Sequence, residues 1–378
     1  MNPRTLDSVG SSVTGPTNSV ATIDGASYTL DSVGNRTVKT DDYASVTSNY
    51  TYDALYELTQ VTQGTSTTES YSYDAVGNRT ASLGVSSYTT NSSNEMTANS
   101  NASYTYDDNG NTTSKTDSAG TTDYSWDYEN RLAAVTLPGS SGTVTFKYDP
   151  FGRRIEKVSP TTTSIFVYDG DNMVETTNSS GGEVASYTQT QNIDEPLAML
   201  RGTITSYYQQ DGLGSVTLLS NSSGSLAETY TYDSFGNQTA SSGSTTNFFR
   251  YTGREFDTET GLYFDRARYY DPSSGKFETE DPIGFDAGNN FYAYVQNGPT
   301  NVADPFGLQP PGAWNSLLNW GKGVADAGGM TLGWATGLGP LTYDFGPGSV
   351  EVNNMIHAPG TNAARQFFYC KNASGGPL

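Results

Sequence analysis

The sequence predicts an all-β protein, a long series of short hairpins, and three observations carry that prediction. The first is composition. Of 378 residues only 34% are hydrophobic and 16% charged, against about 45–50% and about 25% in an ordinary soluble domain. Glycine (41) and tyrosine (27) are abundant. Tyrosine and threonine suit a pleated, half-wet surface, while glycine and asparagine suit tight turns. The second observation is an internal repeat, and the third is strand-like alternation within it, as in Ser103-Tyr104-Thr105-Tyr106 and Thr143-Val144-Thr145-Phe146-Lys147-Tyr148.

The repeat is an aromatic or apolar residue, then Asp, with Gly three places after the Asp. It occurs at Leu6-Asp7-Ser8-Val9-Gly10, Leu30-Asp31-Ser32-Val33-Gly34, Tyr73-Asp74-Ala75-Val76-Gly77, Tyr106-Asp107-Asp108-Asn109-Gly110, Tyr148-Asp149-Pro150-Phe151-Gly152 and Tyr232-Asp233-Ser234-Phe235-Gly236. Variants lie at Asp53, Asp127 and Asp169. From Asp7 to Asp233 the successive aspartates stand 24, 22, 21, 33, 20, 22, 20, 42 and 22 residues apart. A period near 21 is two short strands and two turns, one hairpin per repeat. The step of 42 reads as two periods and the step of 33 as an insertion around residues 91–101. Each Asp is expected to cap its own turn, with tyrosines stacking across strands. Calcium binding by stacked Asp and Asn is the sharper alternative, and it requires several oxygens converging on one point.

Charge and rare residues narrow the chemistry. Nineteen Lys and Arg against forty Asp and Glu give a net charge of −21, a field that repels phosphate backbones and argues against nucleic-acid binding by the body. One cysteine, Cys370, cannot make an intrachain disulfide. One histidine, His357, leaves no His-rich metal cage and no Ser-His-Asp site in the body. No metal or other cofactor is expected. No apolar run approaches the ~20 residues of a membrane span, and the first residues lack the apolar core of a signal peptide. The chain is expected either to be cytoplasmic as made or to start upstream of Met1.

Residues 208–308 carry a longer, ordered series of motifs: Gln210-Asp211-Gly212-Leu213-Gly214-Ser215-Val216, Tyr251-Thr252-Gly253-Arg254-Glu255-Phe256-Asp257, Gly261-Leu262-Tyr263 and Ala267-Arg268-Tyr269-Tyr270-Asp271-Pro272. Gly275-Lys276-Phe277, Asp281-Pro282-Ile283-Gly284, Asn290-Phe291-Tyr292-Ala293-Tyr294-Val295 and Asp304-Pro305-Phe306-Gly307-Leu308 follow. With the Tyr-Asp repeats before it, this series resembles the YD-repeat, Rhs and teneurin-like proteins of the polymorphic-toxin group, and residues 208–308 are similar to the Rhs-repeat-associated core domain. The resemblance implies a β-sheet spiral forming a hollow shell over 1–245, a core plug over 246–308 and a variable C-terminal tip over 309–378. It further implies that the tip is released by self-cleavage after Leu308, at the Leu308–Gln309 bond, with catalytic aspartates at Asp281 and Asp304. Secretion or cell-surface display, an immunity protein and a secretion apparatus as partners are implied in the same way.

The chemistry is sound by itself. Two adjacent carboxylates cannot both ionise, so one acts as base on a water while the other polarises the peptide carbonyl. Against this stands the reading of Asp-Pro-x-Gly as a plain turn, which is the expectation for Asp271-Pro272. Arg254 and Arg268 are expected to pair with acidic neighbours in the plug. Glu280, next to Asp281, adds charge to the pair. About ten repeats are expected to make only a partial wall.

After Leu308, Gln309-Pro310-Pro311-Gly312 reads as a linker. The tail balances Lys322, Arg365 and Lys371 against Asp326, Asp344 and Glu351, so the net charge belongs to the body. Residues 314–320 and 362–369 are expected as short amphipathic helices. His357 is a weak candidate base beside Glu351 or Arg365. The rival to a self-cleaving scaffold is a purely structural or adhesive β assembly that self-associates through strand edges, as filaments.

Overall fold

A computed structural model of the chain describes residues 4–14, 20–308, 342–343, 350–355 and 367–370, with side chains over 25–308. The body is antiparallel throughout. Each strand pairs with its sequence neighbours, in one run of seven strands from Arg4–Thr14 to Arg79–Ser82 and a second of sixteen from Thr89–Thr90 to Gln238–Gly243. Among the described residues no ladder closes either run into a barrel.

The repeat explains itself at atomic level. In most of these turns the Asp Oδ1 accepts two backbone N–H groups, as Asp74 does from Val76 (3.0 Å) and Asn78 (2.9 Å), and Oδ2 accepts the Asn78 amide at 3.1 Å. The Asp7 unit instead lies inside strand Arg4–Thr14, where no turn forms, and Asp169 pairs with Asn172 across a tight hairpin. Where Arg replaces that Asn, at Arg131 and Arg153, Nε takes the same oxygen at 2.8 and 2.7 Å. The oxygens of these capping aspartates are engaged inside their turns or, at Asp211, also by Lys39, which is the capping expected from the sequence rather than a convergent calcium site. The glycine three places on sits at φ between +77° and +97° at Gly34, Gly77, Gly110, Gly152, Gly214 and Gly236, a region costly for any residue with a Cβ.

The tyrosine has a different task from the one the sequence predicts. A β-bulge lies beside these Asp turns: the register slips between Thr51 and Tyr52, Lys147 and Tyr148, and Thr231 and Tyr232, among others. A bulge takes a residue out of ladder pairing and leaves a backbone group to be satisfied. The tyrosine of the next repeat supplies the missing partner. Tyr73 donates to the Leu58 carbonyl (3.0 Å), Tyr148 to Leu132 (2.8 Å), Tyr168 to Arg154 (3.0 Å) and Tyr232 to Val216 (2.9 Å). Trp126 does the same through Nε1 to Thr112 at 2.6 Å. Ring stacking runs along a strand, as in Tyr71 with Tyr73, while the cross-strand tie is a hydrogen bond.

The supposed insertion around residues 91–101 is a further repeat. Asn91 stands for Asp, its Oδ1 accepting the N–H groups of Ser93 and Glu95, and Asn94 at φ +64° stands for Gly. Asparagine hid it, being the one other residue that both caps this turn and tolerates positive φ.

The wall curls round residues 247–308. Lys39 meets Asp211 (2.8 Å), Arg36 donates to the Gly212 carbonyl (2.8 Å), the Gly212 N–H donates to Tyr28 (3.0 Å) and Ser234 donates to Glu69. Early and late repeats therefore meet through side chains, and a cavity of about 320 Å³ lies along that seam. Outward, Thr pairs such as Thr105–Thr113 (2.8 Å) and Thr231–Thr239 (2.8 Å) link strands, which accounts for the threonine content. Inward, Leu132, Val135, Val144 and Phe146 pack on Leu262, Phe264 and Tyr269.

The enclosed plug is a four-stranded sheet, Glu255–Asp257, Leu262–Asp265, Arg268–Asp271 and Lys276–Phe277, followed by two 3-10 turns. Its centre is aromatic, with the Tyr270 and Tyr294 rings 4.3 Å apart. Buried ion pairs fix it to the wall. Arg154, fully buried, lies 2.7 Å from Glu255 and 2.5 Å from Asp257, and Lys115 lies 3.0 Å from Asp271. Asp271 also accepts the Ser273 N–H, so its role is the structural one expected. In the tail, Phe367–Cys370 pairs as a strand with Val350–Met355, where the sequence predicts a helix over 362–369. The run Phe367-Phe368-Tyr369 is rich in strand formers. The helix expected at 314–320 lies outside the described residues.

Gly152 and Gly236 share one backbone conformation but not one environment. A Cβ at Gly236 would sit 2.5 Å from the Tyr251 ring, whereas nothing lies within 4 Å of one at Gly152. Gly152→Ala should cost about 1 kcal/mol of stability and Gly236→Ala about 2–4 kcal/mol, as read from urea melts of the two variants.

Candidate functional site

The two Asp-Pro-x-Gly motifs come together on one arginine. Arg268, on the third plug strand and fully buried, places Nη2 2.7 Å from Asp281 and 3.4 Å from Asp304. Nη1 donates to the Phe291 carbonyl (2.9 Å) and Nε to the Gly307 carbonyl (2.5 Å). The guanidinium stacks on Phe277 at 3.5 Å. Five N–H donors in a rigid plane are what such a junction needs, and lysine has no such fork. Sequence reasoning pairs Arg268 with acidic neighbours. The structure makes those neighbours the two aspartates themselves, so a cation lies between carboxylates expected to share a proton directly.

Each aspartate also closes its own turn. Asp281 Oδ1 accepts the Ile283 N–H at 3.1 Å, and Asp304 Oδ1 accepts the Leu308 N–H at 3.0 Å. The chain up to Leu308 is thereby held from both sides, its amide by Asp304 and the preceding carbonyl by Arg268. Gly307 is required here: at φ +65° a Cβ would fall 2.1 Å from the Asp265 carbonyl oxygen. Gly284, its counterpart in the first motif, has open space around it. The motifs match in sequence, but only the second is threaded through the packed plug. Gln309 and His357 lie outside the described residues.

Burial pushes the Asp304 carboxyl up to about 6, with Arg268 pulling it down and Asp281 pushing it up. A third acid, which no sequence motif marked, belongs to the same group. Burial raises Asp265 to about 7, against Arg254 and with help from Asp304 and Asp194. Arg254 contacts Asp194 at 2.5 Å and Asp265 at 3.5 Å, so it acts on Asp265 and not on the motif aspartates. Arg266 adds a second tie to Asp194 (2.8 Å) and packs on Phe306. Asp194 lies in a wall turn, so the only sequence signal was the cluster Asp265-Arg266-Ala267-Arg268 itself. The Glu280 side chain lies against Gly110, and burial and Glu95 raise its carboxyl. Among the described residues no group of three His, Cys, Asp or Glu is placed to hold a metal, and no helix is long and apolar enough to cross a membrane.

Comparison with known proteins places this geometry in context. The teneurin YD-shell family model matches residues 31–300. The chain is 35% identical over 320 residues to the tRNA3(Ser)-specific nuclease WapA of Bacillus spizizenii, covering 79% of this chain and 13% of that protein. It is 26% identical over 322 residues to the double-stranded DNA deaminase toxin A of Burkholderia cenocepacia, covering 72% and 22%. Among solved structures it is similar to TcdB2-TccC3-Cdc42, with a TM-score of 0.58 at 19% identity over 83% of this chain and 19% of that one. The chain thus spans about an eighth of WapA and about a fifth of the deaminase toxin.

The raised carboxyls set a direction for stability. Asp304 and Asp265 hold a proton more tightly folded than unfolded, so their contribution is fully present below the ordinary carboxylate range and is lost as pH rises through about 6 and 7. Melting temperature at about pH 5 should therefore exceed that at about pH 8, and Asp265→Asn should shrink the difference. Arg268→Met, which leaves two buried carboxylates without their cation, should cost about 3–5 kcal/mol at neutral pH, measured by thermal melts.

Proposed function

The chain belongs to the teneurin YD-shell family, and from that premise we propose that it is the shell-and-plug portion of a polymorphic-toxin scaffold, secreted or displayed at a cell surface, that presents the segment after Leu308 as an effector and releases it by cutting its own Leu308–Gln309 bond. In this reading residues 1–245 are the wall, 246–308 the plug and 309–378 the effector tip, with an immunity protein as the tip's partner. The observation that carries the reading is the convergence on Arg268: both motif aspartates and the Gly307 carbonyl meet one buried guanidinium, one peptide unit from the bond to be cut. The similarity to a nuclease and a deaminase toxin supports the toxin class.

The steps need only groups of this chain and a water. Asp281, ion-paired with Arg268, takes a proton from the water as its oxygen adds to the Leu308 carbonyl carbon. Asp304, protonated, donates to the carbonyl oxygen as it gains charge. As the tetrahedral adduct collapses the C–N bond breaks, Asp281 passes the proton it took from water to the Gln309 nitrogen, and the adduct hydroxyl returns one to Asp304 as the new carboxyl forms. Asp265 is the neighbouring acid whose charge favours the protonated Asp304. Arg268 holds the segment in register, a positioning role.

One observation favours a second reading, a plug that stays intact: both aspartates also close local turns, as a structural motif would. Intact mass of freshly purified wild type beside Asp304→Asn and Asp281→Asn decides between them. Two fragments meeting between Leu308 and Gln309 in wild type alone support cleavage, and one full-length species in all three samples supports the structural reading. If cleavage proceeds through protonated Asp304, its rate should rise as pH falls from about 8 toward about 6.

A further inference from the structure

Lys276 is the anomaly among the buried cations of the plug. Its Nζ lies 3.4 Å from Asn78 Oδ1 and 3.4 Å from the Asn94 carbonyl, both at the weak end of hydrogen bonding. Among the described residues it has no carboxylate within ion-pair distance, whereas Lys39, Lys115 and Lys157 each have one within 3.0 Å. Burial and the nearby Arg79 guanidinium hold its amine down to about 8, with Asp74 pulling the other way. A buried amine with no counter-ion is a nucleophile in waiting.

The group it faces is arranged as an electrophile. The Asn78 carboxamide is buried and fixed on both sides. Its oxygen also accepts the Asn290 amide N–H at 3.0 Å, a donor placed where negative charge would develop on attack. Its nitrogen donates to Asp74 Oδ2 (3.1 Å) and to Asn94 Oδ1 (2.8 Å), so a carboxylate already touches the leaving group. The equivalent turn residues are placed differently. Asn35 faces the Asn301 amide and Asn237 donates to the Pro272 carbonyl, with no lysine on either.

We propose that Lys276 and Asn78 are the two ends of an intramolecular isopeptide crosslink that joins plug to wall. The Lys276 nitrogen adds to Asn78 Cγ, and Asn290 stabilises the oxygen as it gains charge. Asp74 takes a proton from the attacking nitrogen and returns it to the amide nitrogen, which leaves as ammonia. One C–N bond forms and one breaks, with no oxidant and no co-reactant. The product amide carries no charge into the interior and removes the one lysine among the described residues without an acidic partner. It also ties a wall turn to a plug strand 198 residues further along the chain.

The test is mass spectrometry of the purified full chain after incubation at mildly alkaline pH. Both residues precede Leu308, so the ammonia loss and the branch are detected whether or not the tail is cut, the Lys276 peptide ending at Lys322 in the uncut chain and at Leu308 in the cut one. The expected result is a species lighter by one ammonia, with a branched tryptic peptide joining the segment that ends at Arg79 to the one containing Lys276, and no tryptic cleavage after Lys276. Asp74→Asn should slow the reaction at least tenfold while leaving the circular dichroism spectrum unchanged, and Lys276→Met should abolish it. Unchanged mass in folded wild type would overturn the proposal, as would an ammonia loss confined to one linear peptide. The wild-type measurement stands by itself, so the proposal can be refuted even where a variant fails to fold.

Discussion

The structure depends on one recurring deficit in the backbone. Many Asp turns of the wall are entered through a β-bulge, where a carbonyl such as that of Leu58, Leu132 or Val216 takes a side-chain donor. An unpaired buried carbonyl costs about 1–3 kcal/mol, and the tyrosine of the following repeat removes that cost with its hydroxyl. The Asp-Gly turn and the Tyr hydroxyl are thus two halves of one device. The first closes a repeat, and its open carbonyl is satisfied only when another repeat follows. Bulges also bend and twist a sheet, so the feature that creates the deficit supplies the curvature that lets the wall wrap a plug.

Electrostatics follows from that geometry. A body at −21 would repel itself if its acids were spread at random. Here many aspartates sit in turns where backbone N–H groups neutralise them locally. The plug interface collects much of the buried cationic charge, at Arg154, Lys157, Arg254 and Arg268. The exceptions are instructive. Asp265, Asp304 and Glu278 are buried with too few partners, and their carboxyls are raised as a result. Two of those three stand at the candidate site, where an acid that keeps its proton near neutrality has chemical use.

Much of this was legible in the sequence. The Asp-x-x-Gly period predicts the hairpin series and its turn chemistry, because those residues act within five positions of one another. The family resemblance that the Asp-Pro-x-Gly motifs carry implies which aspartates stand at the junction, and both lie on Arg268. The Asn91 repeat was hidden by a substitution that keeps the physics and changes the letters. The tyrosine bond was hidden because its acceptor lies one repeat away and is created by a bulge that no residue type announces. Asp194 was beyond reach for a simpler reason: its meeting with Arg254 and Arg266 depends on how the wall curls, and short-range pattern carries no record of that.

The seam between early and late repeats has a wider consequence. A barrel sealed by hydrogen bonds admits only strand numbers and staggers that close the ring, so gaining or losing a hairpin breaks it. This wall meets itself through Lys39, Arg36 and Glu69 instead, contacts that specify a place of meeting and not a count of strands. The shortened unit at Asn91 already uses that latitude. Length is therefore a free variable of the architecture, and a lineage can lengthen or trim its enclosure one hairpin at a time while the plug and the junction at Arg268 stay as they are.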